Sequence, residues 1–140
     1  MKKLLPSIAL LLFITIGTAV AQNPHFVAGP TITDNGTTLT VSGSIAGVGN
    51  NTSAIIGFNV SLTFTTVCTN PADNVAPGQT KTINTAVSGQ FMSDKNGRIN
   101  FSLTTVHPAA GNCPNGKWTA TVEDVQFGTP VVTFNGQPIQ

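Results

Sequence analysis

From Ile56 to Cys68 the chain alternates with a period of two. Ile56, Phe58, Val60, Leu62, Phe64, Thr66 and Cys68 share one parity, while Gly57, Asn59, Ser61, Thr63 and Thr65 share the other, with Val67 the one apolar exception. Successive side chains of a strand point to opposite faces, so this pattern builds a strand with one face in a core and one in water. A helix would scatter the same residues around its circumference. The parity also aims Cys68 at the core side.

The same alternation recurs downstream. Leu39, Val41, Gly43 and Ile45 interleave with Thr and Ser; Ile83, Val87 and Phe91 share one parity; Ile99, Phe101 and Leu103 share another. Trp118, Ala120 and Val122 form one face of a further strand, after which the parity changes to Val125 and Phe127. One extra residue near Glu123-Asp124 restores the inward face, so a β-bulge is expected there. Val131 to Phe134 reads as a last short strand. Asp34-Asn35-Gly36, Asp94-Lys95-Asn96-Gly97 and Gly128-Thr129-Pro130 punctuate these runs with turn chemistry. No window carries a helical period with caps. About seven strands at this spacing predict an all-β fold, a single antiparallel immunoglobulin-like β-sandwich, with a small closed barrel as the alternative.

The first residues read differently. Lys2 and Lys3 precede an apolar stretch, Leu4 to Ile16, and Ala19-Val20-Ala21 offers a small-x-small cleavage site. The apolar stretch is about 13 residues, shorter than the roughly 20 a membrane helix needs. Residues 1–21 are therefore expected to be a signal peptide and residues 22–140 the β-sandwich domain, secreted to the periplasm or beyond, with no membrane span of its own. Four cations then remain (Lys81, Lys95, Arg98, Lys117) against five anions (Asp34, Asp73, Asp94, Glu123, Asp124), a formal net charge of −1. In an oxidising compartment Cys68 and Cys113 are expected to form one structural disulfide. A redox pair would want C-x-x-C spacing, and a zinc site would need two more ligands where only His25 and His107 are on offer.

Charge restricts function further. Only 8% of the residues are charged, against roughly 25% in an average domain. No basic stripe exists for nucleic acid, and no charge blocks exist for a disordered tail. Catalytic constellations are not assembled by the sequence: no G-x-S-x-G elbow occurs, His107 sits in a loop before Pro108, and Glu123 and Asp124 are adjacent on a strand. The chain is read as a non-enzyme without cofactor or resident metal. Asp73-Asn74 with Glu123-Asp124 is the one oxygen-rich set considered for calcium, and the N-x-S/T matches and T-x-T pairs follow from a composition rich in Asn and Thr.

The strings Cys68-Thr69-Asn70-Pro71, Pro77-Gly78-Gln79, Asp94-Lys95-Asn96-Gly97-Arg98 and Cys113-Pro114-Asn115-Gly116-Lys117-Trp118 resemble a group of small secreted bacterial proteins of unknown function. That resemblance implies a signal segment followed by one cysteine-bridged β domain, and no activity. The expected function is surface interaction, adhesion or self-assembly at or outside the cell envelope, with an unknown protein or glycan partner. A small-ligand or carbohydrate-binding module is the alternative, and a secreted enzyme or enzyme inhibitor ranks third. Candidate interaction residues lie in the two loops next to the cysteines: Asn70, Asp73, Asn74, His107, Asn112 and Asn115, with Trp118, the single Trp, as a stacking surface.

Overall fold

The alternating segment becomes β3, Ser53–Thr69, the central strand of the larger of two sheets. The computed structural model describes residues 23–140, so the expected signal segment, residues 1–21, lies outside the described residues. The other strands are β1 (His25–Asp34), β2 (Leu39–Ala46), β4 (Val75–Met92), β5 (Ile99–Thr104), β6 (Thr119–Phe127), β7 (Val131–Phe134) and β8 (Gln137–Pro138). All pairings are antiparallel. One sheet has the order β1-β2-β5; in the other, β3 carries β4 along one side and β7 and β6 along the opposite side. This is the all-β sandwich the alternation predicts, with β8 added as a two-residue strand. Asn135 (φ 47°) and Gly136 (φ 82°) form the tight turn before β8, the positive φ pair that a two-residue hairpin demands.

One departure concerns Gly128-Thr129-Pro130. It reads as a turn between strands, but β6 and β7 both run antiparallel to β3 and so point the same way. Together they are one interrupted strand along β3, with β6 beside Leu62–Thr69 and β7 beside Ile56–Asn59. The Gly128 N–H still donates to the Ser61 carbonyl at 2.8 Å, so pairing is held through the break. At the N-terminal side, His25 is the first residue of β1, opposite Ala46.

The expected bulge is present. Thr63 pairs with Gln126 and Thr65 with Glu123, so β6 carries an extra residue, and Asp124 adopts φ 52° there. Val122, Val125 and Phe127 are in consequence all half-buried. A further bulge lies on β4 at Pro77-Gly78, between the pairs Thr66–Gln79 and Cys68–Ala76.

The even positions of β3 make the core. Ile56, Phe58 and Val60 pack with Leu39, Val41 and Ile45 of β2, Ile99 and Phe101 of β5, and Val132 and Phe134 of β7. The smaller sheet covers only this part of β3. Leu62 and Phe64 continue the same parity, buried at 1% and 2% exposure, yet fall outside that contiguous cluster. At this end of β3 the irregular segment 105–118 lies against the same face, tied to it by the Cys68–Cys113 disulfide and by a hydrogen bond from the Thr66 hydroxyl to the Ala110 carbonyl (2.7 Å). Outward-facing threonines satisfy each other across strands, Thr63 with Thr82 at 2.9 Å, Thr65 with Thr80 at 3.3 Å and Thr40 with Thr104 at 2.8 Å.

The β4–β5 turn crosses between the sheets and is built on two side chains. The Asp94 carboxylate accepts the N–H groups of Asn96 (2.8 Å) and Arg98 (2.9 Å), which hold it below the usual carboxylate range. Ser93 is buried; its hydroxyl donates to the Gly49 carbonyl and accepts the Thr52 N–H at 2.8 Å, joining this turn to the β2–β3 loop. Ser93→Ala leaves one backbone donor and one backbone acceptor without this partner in a part-buried site. The expected loss is about 1–3 kcal/mol by urea denaturation. An unchanged midpoint would mean that the loops reach other partners.

Candidate functional site

Where β3 and β4 run past the smaller sheet, their inner face is only partly covered by segment 105–118, and a cleft of about 450 Å³ remains. Its floor is Thr66 and Cys68 of β3 with Ala76, Gln79, Thr80 and Lys81 of β4; its wall is Ala110, Gly111, Asn112 and Pro114. The reason for the shape is local. The Pro77-Gly78 bulge shifts the β4 register between Gln79 and Ala76, and the wall is pinned to β3 at Cys113, by the disulfide (Cα–Cα 5.8 Å), and at Ala110, by the Thr66 hydroxyl. Gly78 is required where the strands close up, because a Cβ there would run into Thr65 and the Thr66 carbonyl.

Lys81 is the one charged side chain of the lining. It sits opposite Phe64, on the inner parity, where its neighbours along β4 are Ile83 and Val87. It makes no ion pair or hydrogen bond among the described residues, and it is exposed to solvent. The lining therefore combines one free ammonium with amides (Gln79, Asn112) and the Thr66 hydroxyl, and with the apolar disulfide and Pro114; the Thr80 hydroxyl is turned to Thr65 on the outer face. Such a set can orient a polar or anionic ligand by hydrogen bonding. It holds no nucleophile paired with a base, the arrangement that covalent chemistry needs.

No family model, no curated protein and no solved structure matches this chain.

The residues picked out in the sequence divide unevenly. Cys68 and Cys113 are bonded to each other, 45 residues apart. Asn112 lines the cleft. Asn70 does not reach out: its carboxamide oxygen accepts the N–H groups of Ala72 (2.9 Å) and Asn74 (2.8 Å), closing the β3–β4 turn. Asp73 (φ 61°) and Asn74 are exposed on that turn. Asn115 is used in the same manner, accepting the Lys117 N–H at 3.1 Å while its carbonyl accepts that of Trp118. The His107 ring nitrogen lies 2.8 Å from the Pro108 carbonyl. Trp118 is half-buried and is not part of the cleft. Among the described residues, no group of three or more His, Cys, Asp or Glu side chains is placed to hold a metal ion. Lys81, Gln79 and Thr66, which the cleft brings together, are the residues that loop-based reasoning missed.

Proposed function

We propose that this chain is an exported, non-catalytic β-sandwich that acts by surface interaction at or outside the cell envelope, and that it engages its protein or glycan partner through the cleft beside the disulfide. The observation that carries the reading is the lining itself: a free Lys81 ammonium beside amides and a hydroxyl, where a rigid sheet and a tethered irregular segment leave part of the inner face open. Binding surfaces are commonly presented this way, by loops on a stiff scaffold. Export is supported by the Lys2-Lys3 start, the apolar stretch after it and the disulfide, a bond that persists in oxidising compartments.

A second reading, a small-ligand or carbohydrate-binding module, draws on the cleft volume of about 450 Å³, which falls in the usual range for ligand pockets. Soluble cell-wall glycan fragments titrated calorimetrically against the chain, and a photo-crosslinker placed at position 112 in growing cells, address both. Lys81→Gln removes the ammonium without stranding an internal partner. The expected result is about tenfold or greater loss of affinity, the worth of one charge-assisted hydrogen bond, with the melting temperature unchanged. A partner whose affinity ignores Lys81→Gln and whose crosslinks avoid position 112 places recognition elsewhere.

A further inference from the structure

The free edge of a sheet presents unpaired N–H and C=O groups, and natural sheets blunt such edges with prolines, bulges, charges or short strands. Nearly every free edge of this sandwich carries such a device. β1 contains Pro30 and two register breaks, between Phe26 and Ala28 and between Ala28 and Thr31. β6 carries Glu123 and Asp124 at its bulge. β8 is two residues long and contains Pro138. β5 has only six residues and follows Arg98 directly. The first part of β4 has the Pro77-Gly78 bulge and the inward-pointing Lys81. From Thr82 to Met92 the same strand has no charge, no proline and no register break.

The core is also unfinished along this stretch. On β3, Ile56, Phe58 and Leu62 are 0%, 1% and 1% exposed. On β4 the inward-facing Ile83 and Val87, paired with Leu62 and Phe58, and Phe91, paired with Ala54, are only half-buried, because among the described residues no strand lies beyond them. A further strand on this edge would cover them.

We propose that a second copy of this chain supplies that strand: the Thr82–Met92 segments of two protomers pair antiparallel about a two-fold axis and join the two larger sheets into one. The occupant is argued from the segment itself. Under two-fold symmetry the strand meets its own sequence, and an uncharged sequence opposes no like charges. Each copy's Ile83, Val87 and Phe91 then complete the inner face of the other. Lys81 with the Pro77-Gly78 bulge ends the paired segment on one side and the Ser93–Arg98 turn ends it on the other, so the assembly leaves the cleft free and does not depend on the cleft's function.

Sedimentation velocity of the exported chain across a concentration series, combined with amide hydrogen exchange at its two extremes, tests this. Expected are a weight-average mass rising from the monomer value toward twice that value, and concentration-dependent protection on alternate amides of Thr82–Met92. The double variant Ala86→Lys, Ser88→Lys puts cations on the exposed face of the edge and should weaken association at least tenfold. Asn59→Lys, on the same face of the central strand directly opposite Ala86, should not. Circular dichroism checks that both variants fold, and the exchange experiment on the unmodified chain stands without them. A chain that stays monomeric up to millimolar concentration overturns the proposal, as does protection that appears along β1 or β5 instead, or an edge variant that associates as tightly as the parent.

Discussion

Replacing Cys68 and Cys113 together by serine is expected to cost about 4 kcal/mol. The bond closes a loop of 45 residues, and the chain-entropy model assigns a loop of that size roughly this stabilisation. Against the 5–15 kcal/mol by which domains are ordinarily stable, the loss is a large fraction. The structure adds a local reason to the entropic one. Segment 105–118 makes no strand pairing; among the described residues Thr105 is bonded to Leu39 at its start, and the Thr66–Ala110 hydrogen bond is its other polar tie to the inner face of β3. Without the disulfide the segment can lift from the Thr66–Cys68 end of β3, next to the buried Phe64. At roughly 4 °C per kcal/mol for a domain of this size, the melting midpoint should fall by about 15 °C, and limited proteolysis should cut first within residues 105–118. A midpoint within a few degrees of the parent would mean that packing, not the bond, holds the cover in place.

How far the sequence foretells this arrangement depends on whether the information is local. The β3 alternation, the Asp34-Asn35-Gly36 hairpin and the bulge at Glu123-Asp124 are written in neighbouring residues, and each is found. The role of Gly128-Thr129-Pro130 is not local. A reversing turn and an in-line break use the same residue types, and the choice rests on β6 and β7 finding two parts of one distant strand. The candidate loops illustrate the same limit. Asn70 and Asn115 look like recognition residues but spend their side chains on their own turns. Lys81 did leave a signal: it occupies the parity otherwise filled by Ile83, Val87 and Phe91. A lone charge on the apolar face of a strand marks either an edge device or an uncovered floor, and here it is both.

Alanine at Phe58 and at Phe64 should separate two cores that a single parity makes look like one. Both rings are buried, at 1% and 2% exposure, and truncation of either should cost about 3–5 kcal/mol in the oxidised chain. Their surroundings differ. Phe58 belongs to the cluster closed by β2, β5 and β7, elements held by strand pairing. Phe64 lies four positions from Cys68 on the same face, beneath the end that the disulfide secures. A double-mutant cycle against the serine pair therefore has two expected results. Phe58→Ala adds to the loss of the disulfide within about 0.5 kcal/mol, as independent sites do. Phe64→Ala costs about 1–3 kcal/mol less when the disulfide is already gone, because the ring has then lost its cover before it is removed. Phe→Leu at each position provides the same cycle on a smaller scale if a double variant fails to fold. Equal coupling at both sites would show that segment 105–118 and the sandwich form one cooperative core, and the cleft beside the disulfide would then be as rigid as the sheets.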